Sequence, residues 1–128
     1  FDAYNIIRNV SYWVQHMFSV NRGDTILSVK STAKVNPIFW VASKTNSAAF
    51  VKLTNVLNTT ATLRFDFPDL SIAPNATATV LTHPNYSIMN TPSAPNALVP
   101  QEVAFTAGKT FTFDIPGQSV VVLKLALQ

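Results

Sequence analysis

The alternation of apolar and polar positions is sharpest near the end of the chain, where residues 109–127 read KTFTFDIPGQSVVVLKLAL. From Thr110 to Ile115 it is strict, which places Phe111, Phe113 and Ile115 on one face of a strand. Pro116-Gly117 is a turn pair: proline presets φ, and glycine is free to take a positive one. Beyond it, Val121, Leu123, Leu125 and Leu127 share one face, with Val120, Val122 and Lys124 on the other. A run so rich in β-branched residues on both faces predicts an interior strand. The two strands read as a hairpin, and a lone hairpin is not stable in water. The rest of the chain must supply the strands that cover it.

The chain before Gly23 has a different period. Ala3, Ile6, Ile7, Val10, Trp13, Val14 and Met17 recur at spacings of three and four, which predicts a helix over residues 3–20. Asp2 stands at its start, where a carboxylate suits the positive end of the helix dipole, and Gly23 is a stop signal. Tyr4, Tyr12 and Phe18 widen the apolar surface beyond one stripe. Such a helix packs on its own domain alone, or also against a separate body. The wide apolar face and abrupt start favour the second reading, with Ile6, Ile7, Val10, Trp13, Val14 and Met17 as packing residues.

After Asp24 the period is two. Strands are expected near 25–32, 38–43, 48–56, 60–67, 77–82, 102–106, 110–115 and 119–127. Eight short strands separated by turn signals predict a mainly β protein, an antiparallel, jelly-roll-like β-sandwich preceded by one helix. Asn58-Thr59-Thr60 suits a hairpin tip. Residues 85–100, NYSIMNTPSAPNALVP, break the pattern with Pro92, Pro95 and Pro100, each lacking a backbone donor. This stretch reads as an ordered strap across the sandwich, anchored by Ile88, Met89, Leu98 and Val99.

Composition changes the picture in two ways. Only 12% of the 128 residues are charged, about half the usual share, so surface is left for a partner or for glycans to cover. The net charge of +3 reflects scarce acids, and the lysines form no basic run or aromatic-spaced groove, which argues against nucleic acid as a partner. There is no cysteine, hence no disulfide framework, and no run near the ~20 apolar residues of a membrane span. Phe1 in place of methionine reads as a cut end.

Candidate chemistry is thin. Hydrolysis by carboxylates needs two acids flanking one bond, and Asp2, Asp24, Asp66, Asp69, Glu102 and Asp114 form no evident pair. His16 and His83 lie far apart without a metal-ligand motif, and there is neither G-x-S-x-G nor a phosphate-binding glycine loop. No catalytic residue, metal site or cofactor follows from the residues. Trp40 and Tyr86 are the candidate sugar-stacking rings, although core packing is the commoner role of a ring like Trp40. Four N-x-S/T sequons, at Asn9, Asn58, Asn75 and Asn85, point to a secreted, extracellular glycoprotein, three of them in expected turns or loops.

Two stretches carry a family resemblance. In residues 11–29, SYWVQHMFSVNRGDTILSV, the residues Tyr12, Val14, Met17, Phe18, Ser19, Gly23 and Asp24 resemble the last barrel helix and exit strand of glycoside hydrolase family 51, the α-L-arabinofuranosidases. The tail is similar to that family's ending through Leu81-Thr82, Asn90-Thr91, Pro95-Asn96, Val99-Pro100 and residues 116–125. The resemblance implies a retaining enzyme whose two catalytic glutamates sit on a (β/α)8 barrel, with a C-terminal β-sandwich packed on it. Neither glutamate motif occurs in these residues, and Glu102 matches neither. On this reading residues 1–23 are the terminal helix of the barrel and 24–128 the non-catalytic sandwich. The partners are then the barrel of the same precursor and, through it, arabinose-containing polysaccharide, with fungal secretion suggested by the sequons. The rival reading is an independent carbohydrate-binding module built on Trp40 and Tyr86.

Overall fold

The structure, a computed structural model, describes residues 6–32 and 38–128. One helix, α1 (Val10–Val20), precedes eight strands: β1 (Thr25–Leu27), β2 (Ile38–Lys44), β3 (Ala48–Asn55), β4 (Ala61–Asp66), β5 (Ile72–Leu81), β6 (Gln101–Thr106), β7 (Thr110–Ile115) and β8 (Ser119–Leu127). They form a six-stranded sheet, β1-β2-β3-β8-β5-β6, and a two-stranded sheet, β4-β7. Every strand pairing within them is antiparallel. The expected mainly β sandwich is what the chain forms.

β8 is interior, between β3 and β5, and the two faces read from its sequence serve two cores. Val121, Leu123 and Leu125 are fully buried between the sheets with Val51, Leu53, Ala78, Phe111 and Ile115. The aromatic side of that core is a stack: Phe65 and Phe111, opposite each other across β4 and β7, have centroids 5.1 Å apart, and Phe105 reaches both Phe111 and Phe113. On the outer face Val122 and Leu81 join Met17 of α1 and Leu98 of the strap, with Trp13, Val14, Phe18, Ile88 and Val120 around them. The helix is thus laid on this domain's own sheet.

Four sequence expectations change. First, β7 and β8 are not a hairpin: β7 pairs with β4 and β8 with β3 and β5, so the turn at 116–118 crosses between sheets. The Asn58-Thr60 stretch also crosses from sheet to sheet, because β3 and β4 lie in different sheets. A two-residue turn signal fixes a reversal of direction but not the partner, and burying Phe111 and Val121 on facing layers outweighs local pairing. Second, Gly117 does not use a positive φ; the left-handed residue is Gln118, φ 44°. Gly117 is needed for proximity, since a Cβ there would sit 2.6 Å from the Asn58 carbonyl carbon.

Third, α1 begins at Val10, because the Asn9 side chain accepts the Tyr12 N–H at 3.0 Å and caps it. Ile6 and Ile7 precede the helix, and Ile6 is exposed, while Asp2, Ala3 and Tyr4 lie outside the described residues. The helix closes at Asn21, whose Nδ2 donates to the Met17 carbonyl at 2.8 Å, rather than at Gly23. Gly23 instead lets the chain pass Ser43 and Lys44, where a Cβ would lie 2.5 Å from the Lys44 nitrogen. Fourth, β1 stops at Leu27, whereas β5 starts five residues early, at Ile72, by absorbing Pro74 and Asn75 in a bulge.

Candidate functional site

The carboxylates are spread out. Asp66 and Asp114 share the β4-β7 ribbon, but Asp66 stands opposite Thr110 and Asp114 opposite Thr62, four residues apart along the strands, or ~13 Å. A retaining glycosidase pair is ~5 Å apart and an inverting pair under ~10 Å. Both aspartates accept hydrogen bonds from threonines across the ribbon, Asp114 from Thr62 and Asp66 from Thr110. Asp24 and Glu102 flank opposite edges of the six-stranded sheet, five strand spacings apart, or ~24 Å. Among the described residues, no three His, Cys, Asp or Glu side chains converge on a metal-sized site. His16 stacks on Tyr12 at 5.8 Å, and the His83 Nδ1 accepts the Asn85 N–H at 3.0 Å.

Two surface features remain. The first is the half of the outer sheet face that α1 leaves bare. Phe39 and Val41 point away from the inter-sheet core that holds Ile38 and Ala42, and Ile26 stands opposite Ser43 on the same face. Ile26 is 79% exposed, Phe39 60% and Val41 45%. Lys52, opposite Val41, closes one margin of this strip by donating from Nζ to the Phe18 carbonyl at 3.0 Å, with Nζ 5.0 Å from the Phe18 ring centroid. Burial, and secondarily the charge of Arg22, hold the Lys52 ammonium below the usual lysine range. Trp13, Val14 and Met17 are occupied by the domain's own sheet, so α1 offers an outside body only Val10, Tyr12 and Val20 among its large apolar residues.

The second feature is a cleft of about 450 Å³ between the N-terminus of α1, the strap, and the ends of β3, β5 and β8. The strap that roofs it is pinned by Asn90, which the sequence marked only as part of the family resemblance and not as an anchor. Its Nδ2 donates to the carbonyls of Arg8 (2.6 Å) and Leu98 (2.7 Å), and its Oδ1 accepts the Leu98 N–H (2.7 Å). Ile88 and Leu98 anchor the strap as expected, whereas Met89 is 71% exposed. Tyr86 lines the cleft with its ring half exposed. Trp40 does not line it; the side chain lies on the inner-face row of β2 with Ile38 and Ala42, so the two candidate rings form no joint platform.

The sequon asparagines Asn9, Asn58, Asn75 and Asn85 are all exposed. Asn9 caps α1, Asn75 lies within β5 rather than in a loop, and the Asn85 Oδ1 accepts the Ser87 N–H at 3.0 Å.

Two packed antiparallel sheets, with a helix docked on part of one outer face and the rest of that face bare, define a β-sandwich domain. The sequence places it further: residues 2–119 match the family described as the α-L-arabinofuranosidase C-terminal domain, and the chain belongs to that family. It is 37% identical over 119 residues to a probable α-L-arabinofuranosidase A of Aspergillus terreus and 34% identical to α-L-arabinofuranosidase A of Aspergillus niger. Each alignment covers more than nine-tenths of this chain but 18% of the relative, so the chain spans about a fifth of those proteins. An arabinose-bound family 51 α-L-arabinofuranosidase superposes with TM-score 0.91 at 30% identity over the whole chain, covering 21% of that structure. A family 30 xylanase from Clostridium acetobutylicum shares the fold alone, with TM-score 0.64 at 15% identity over 90% of this chain and 27% of its own.

Proposed function

We propose that this domain is the non-catalytic C-terminal part of a secreted, retaining α-L-arabinofuranosidase that removes arabinofuranosyl side groups from plant polysaccharides. Its role is to pack on the catalytic barrel and stabilise it. The observation that carries this reading is the bare outer face at Ile26, Phe39 and Val41. It continues the surface already covered by α1, in a domain whose relatives are about five times longer. Four exposed sequon asparagines support passage through a secretory pathway and glycans on the low-charge surface. The dispersed carboxylates support placing the chemistry elsewhere in the enzyme. There, one of two closely spaced acids bonds to the sugar as nucleophile to form a covalent glycosyl–enzyme intermediate, while the other protonates the leaving group and then activates the hydrolytic water.

Hydrolysis of an aryl α-L-arabinofuranoside should require the full-length enzyme and be absent from the 128-residue chain alone. Hydroxyl-radical footprinting of the full-length enzyme should leave Phe39 and Ile26 protected and oxidise Met89 and Tyr86. Turnover by the isolated chain would overturn the non-catalytic role. Oxidation of Phe39 as readily as Met89 would overturn the docking face.

A further inference from the structure

We propose that the cleft beneath the strap is a binding site for one ring of a neutral carbohydrate. Its volume of about 450 Å³ falls within the ~300–1,000 Å³ of small-molecule sites. The floor is apolar, built on Leu81 and Val120, while the mouth carries amides and hydroxyls. No Asp, Glu, Lys or Arg is among the described residues that line it, so a charged ligand would find no counter-charge. An uncharged polyhydroxylated ring matches that combination. Its C–H face suits the exposed side of Tyr86, whose hydroxyl is tethered to the Asn58 carbonyl at 3.4 Å.

Three polar side chains at the mouth are wholly or partly unspent on the fold, whereas Asn55, Thr82, His83 and Ser119 make hydrogen bonds within it. The Gln118 amide and the Thr54 hydroxyl make no hydrogen bond with the described residues, and Asn85 commits only its Oδ1. Gln118 adds an independent observation. It is the described non-glycine residue with a positive φ, 44°, and it is held there by its N–H donating to the Leu57 carbonyl at 2.6 Å. Glycine would hold this turn without strain. Glutamine retains the strain and places a primary amide at the mouth, the pattern of a backbone kept unfavourable for a ligand. Trp40, outside the cleft, has no part in the site.

The test is native affinity electrophoresis of the full-length enzyme through gels containing soluble arabinoxylan. Asn85 bears a sequon, so the protein is produced in a bacterial host that attaches no N-glycan, which leaves no sugar ring of its own at the cleft. The parent should be retarded. Tyr86→Ala and Gln118→Gly should each weaken the apparent affinity roughly tenfold, the equivalent of one aromatic or hydrogen-bonding contact. Gln118→Gly should melt no lower than the parent, because the left-handed position no longer carries a side chain, which separates loss of binding from loss of fold. An unretarded parent, or retardation unchanged by both substitutions, would overturn the proposal. Hydrolysis of the aryl substrate, measured on the same parent preparation, reports independently on the arabinofuranosidase reading.

Discussion

Asn55 is where the two sheets are tied together, and replacing it is the sharpest test of how the sandwich is held. Its side chain is 1% exposed at the end of β3. Nδ2 lies 3.0 Å from the Thr59 carbonyl oxygen, 3.2 Å from that of Ile115 and 3.0 Å from that of Pro116, while Oδ1 accepts the Leu57 N–H at 3.0 Å. One amide therefore serves both crossings, 55–61 and 115–119. In Asn55→Ala the Ile115 carbonyl, buried with its residue at 0% exposure, loses this partner, and the half-buried Leu57 N–H loses its own. At ~1–3 kcal/mol for each buried polar group left unpaired, and less where water reaches, the loss should be about 3 kcal/mol. With a urea slope of ~2 kcal/mol/M for a chain of this size, the midpoint should fall by roughly 1.5 M. The assay is urea unfolding of unglycosylated protein followed by the fluorescence of Trp13 and Trp40. Asn75→Ala, at an exposed position, is the control and should stay within ~0.5 kcal/mol of the parent. An Asn55→Ala midpoint as close to the parent as that control would refute the clamp, since water would then be satisfying both crossings.

Gly117→Ala should destabilise by ~2 kcal/mol, because the new Cβ meets backbone atoms of Asn58 and Thr59 at 2.6–2.8 Å and neither can turn aside. Gly108→Ala, whose nearest contact would be 3.9 Å, should be neutral or slightly stabilising in the same thermal melts, and equal effects at the two sites would refute the close-approach account. Lys52 predicts a pH dependence. Below its lowered folded pKa both states carry the charge, and the folded state bears the whole desolvation penalty. Between that value and the ordinary 10.5 the folded state alone sheds the proton, so stability rises with pH and levels off above 10.5. The unfolding free energy of the parent minus that of Lys52→Met should therefore climb as pH approaches 10.5 from below, and a flat difference would refute the shift.

Much of the architecture was legible in the side-chain period. A strand reports its two faces through alternate residues, so the interior position of β8, the inward row of Val121, Leu123 and Leu125, and the number of strands could all be read locally. The family was legible too, through the order of motifs from Tyr12 to Leu125. What only the tertiary structure decided is pairing and proximity. The turn at 116–118 marks a reversal, but whether β7 returns beside β8 or opposite it depends on which arrangement buries the phenylalanine stack, a sum over residues distant in sequence. Asn55 and Asn90 look like any asparagine until the fold brings buried carbonyls within reach of their amides. Gly117 reads as a conformational glycine, while the structure needs it for room beside Asn58 and leaves the left-handed angle to Gln118. The cleft is likewise a product of assembly, since its walls come from α1, three strand ends and the strap. Periodicity records what each residue does relative to its own strand or helix, whereas hydrogen-bond partners and cavities are set through space by the packing of the two sheets, the helix and the strap.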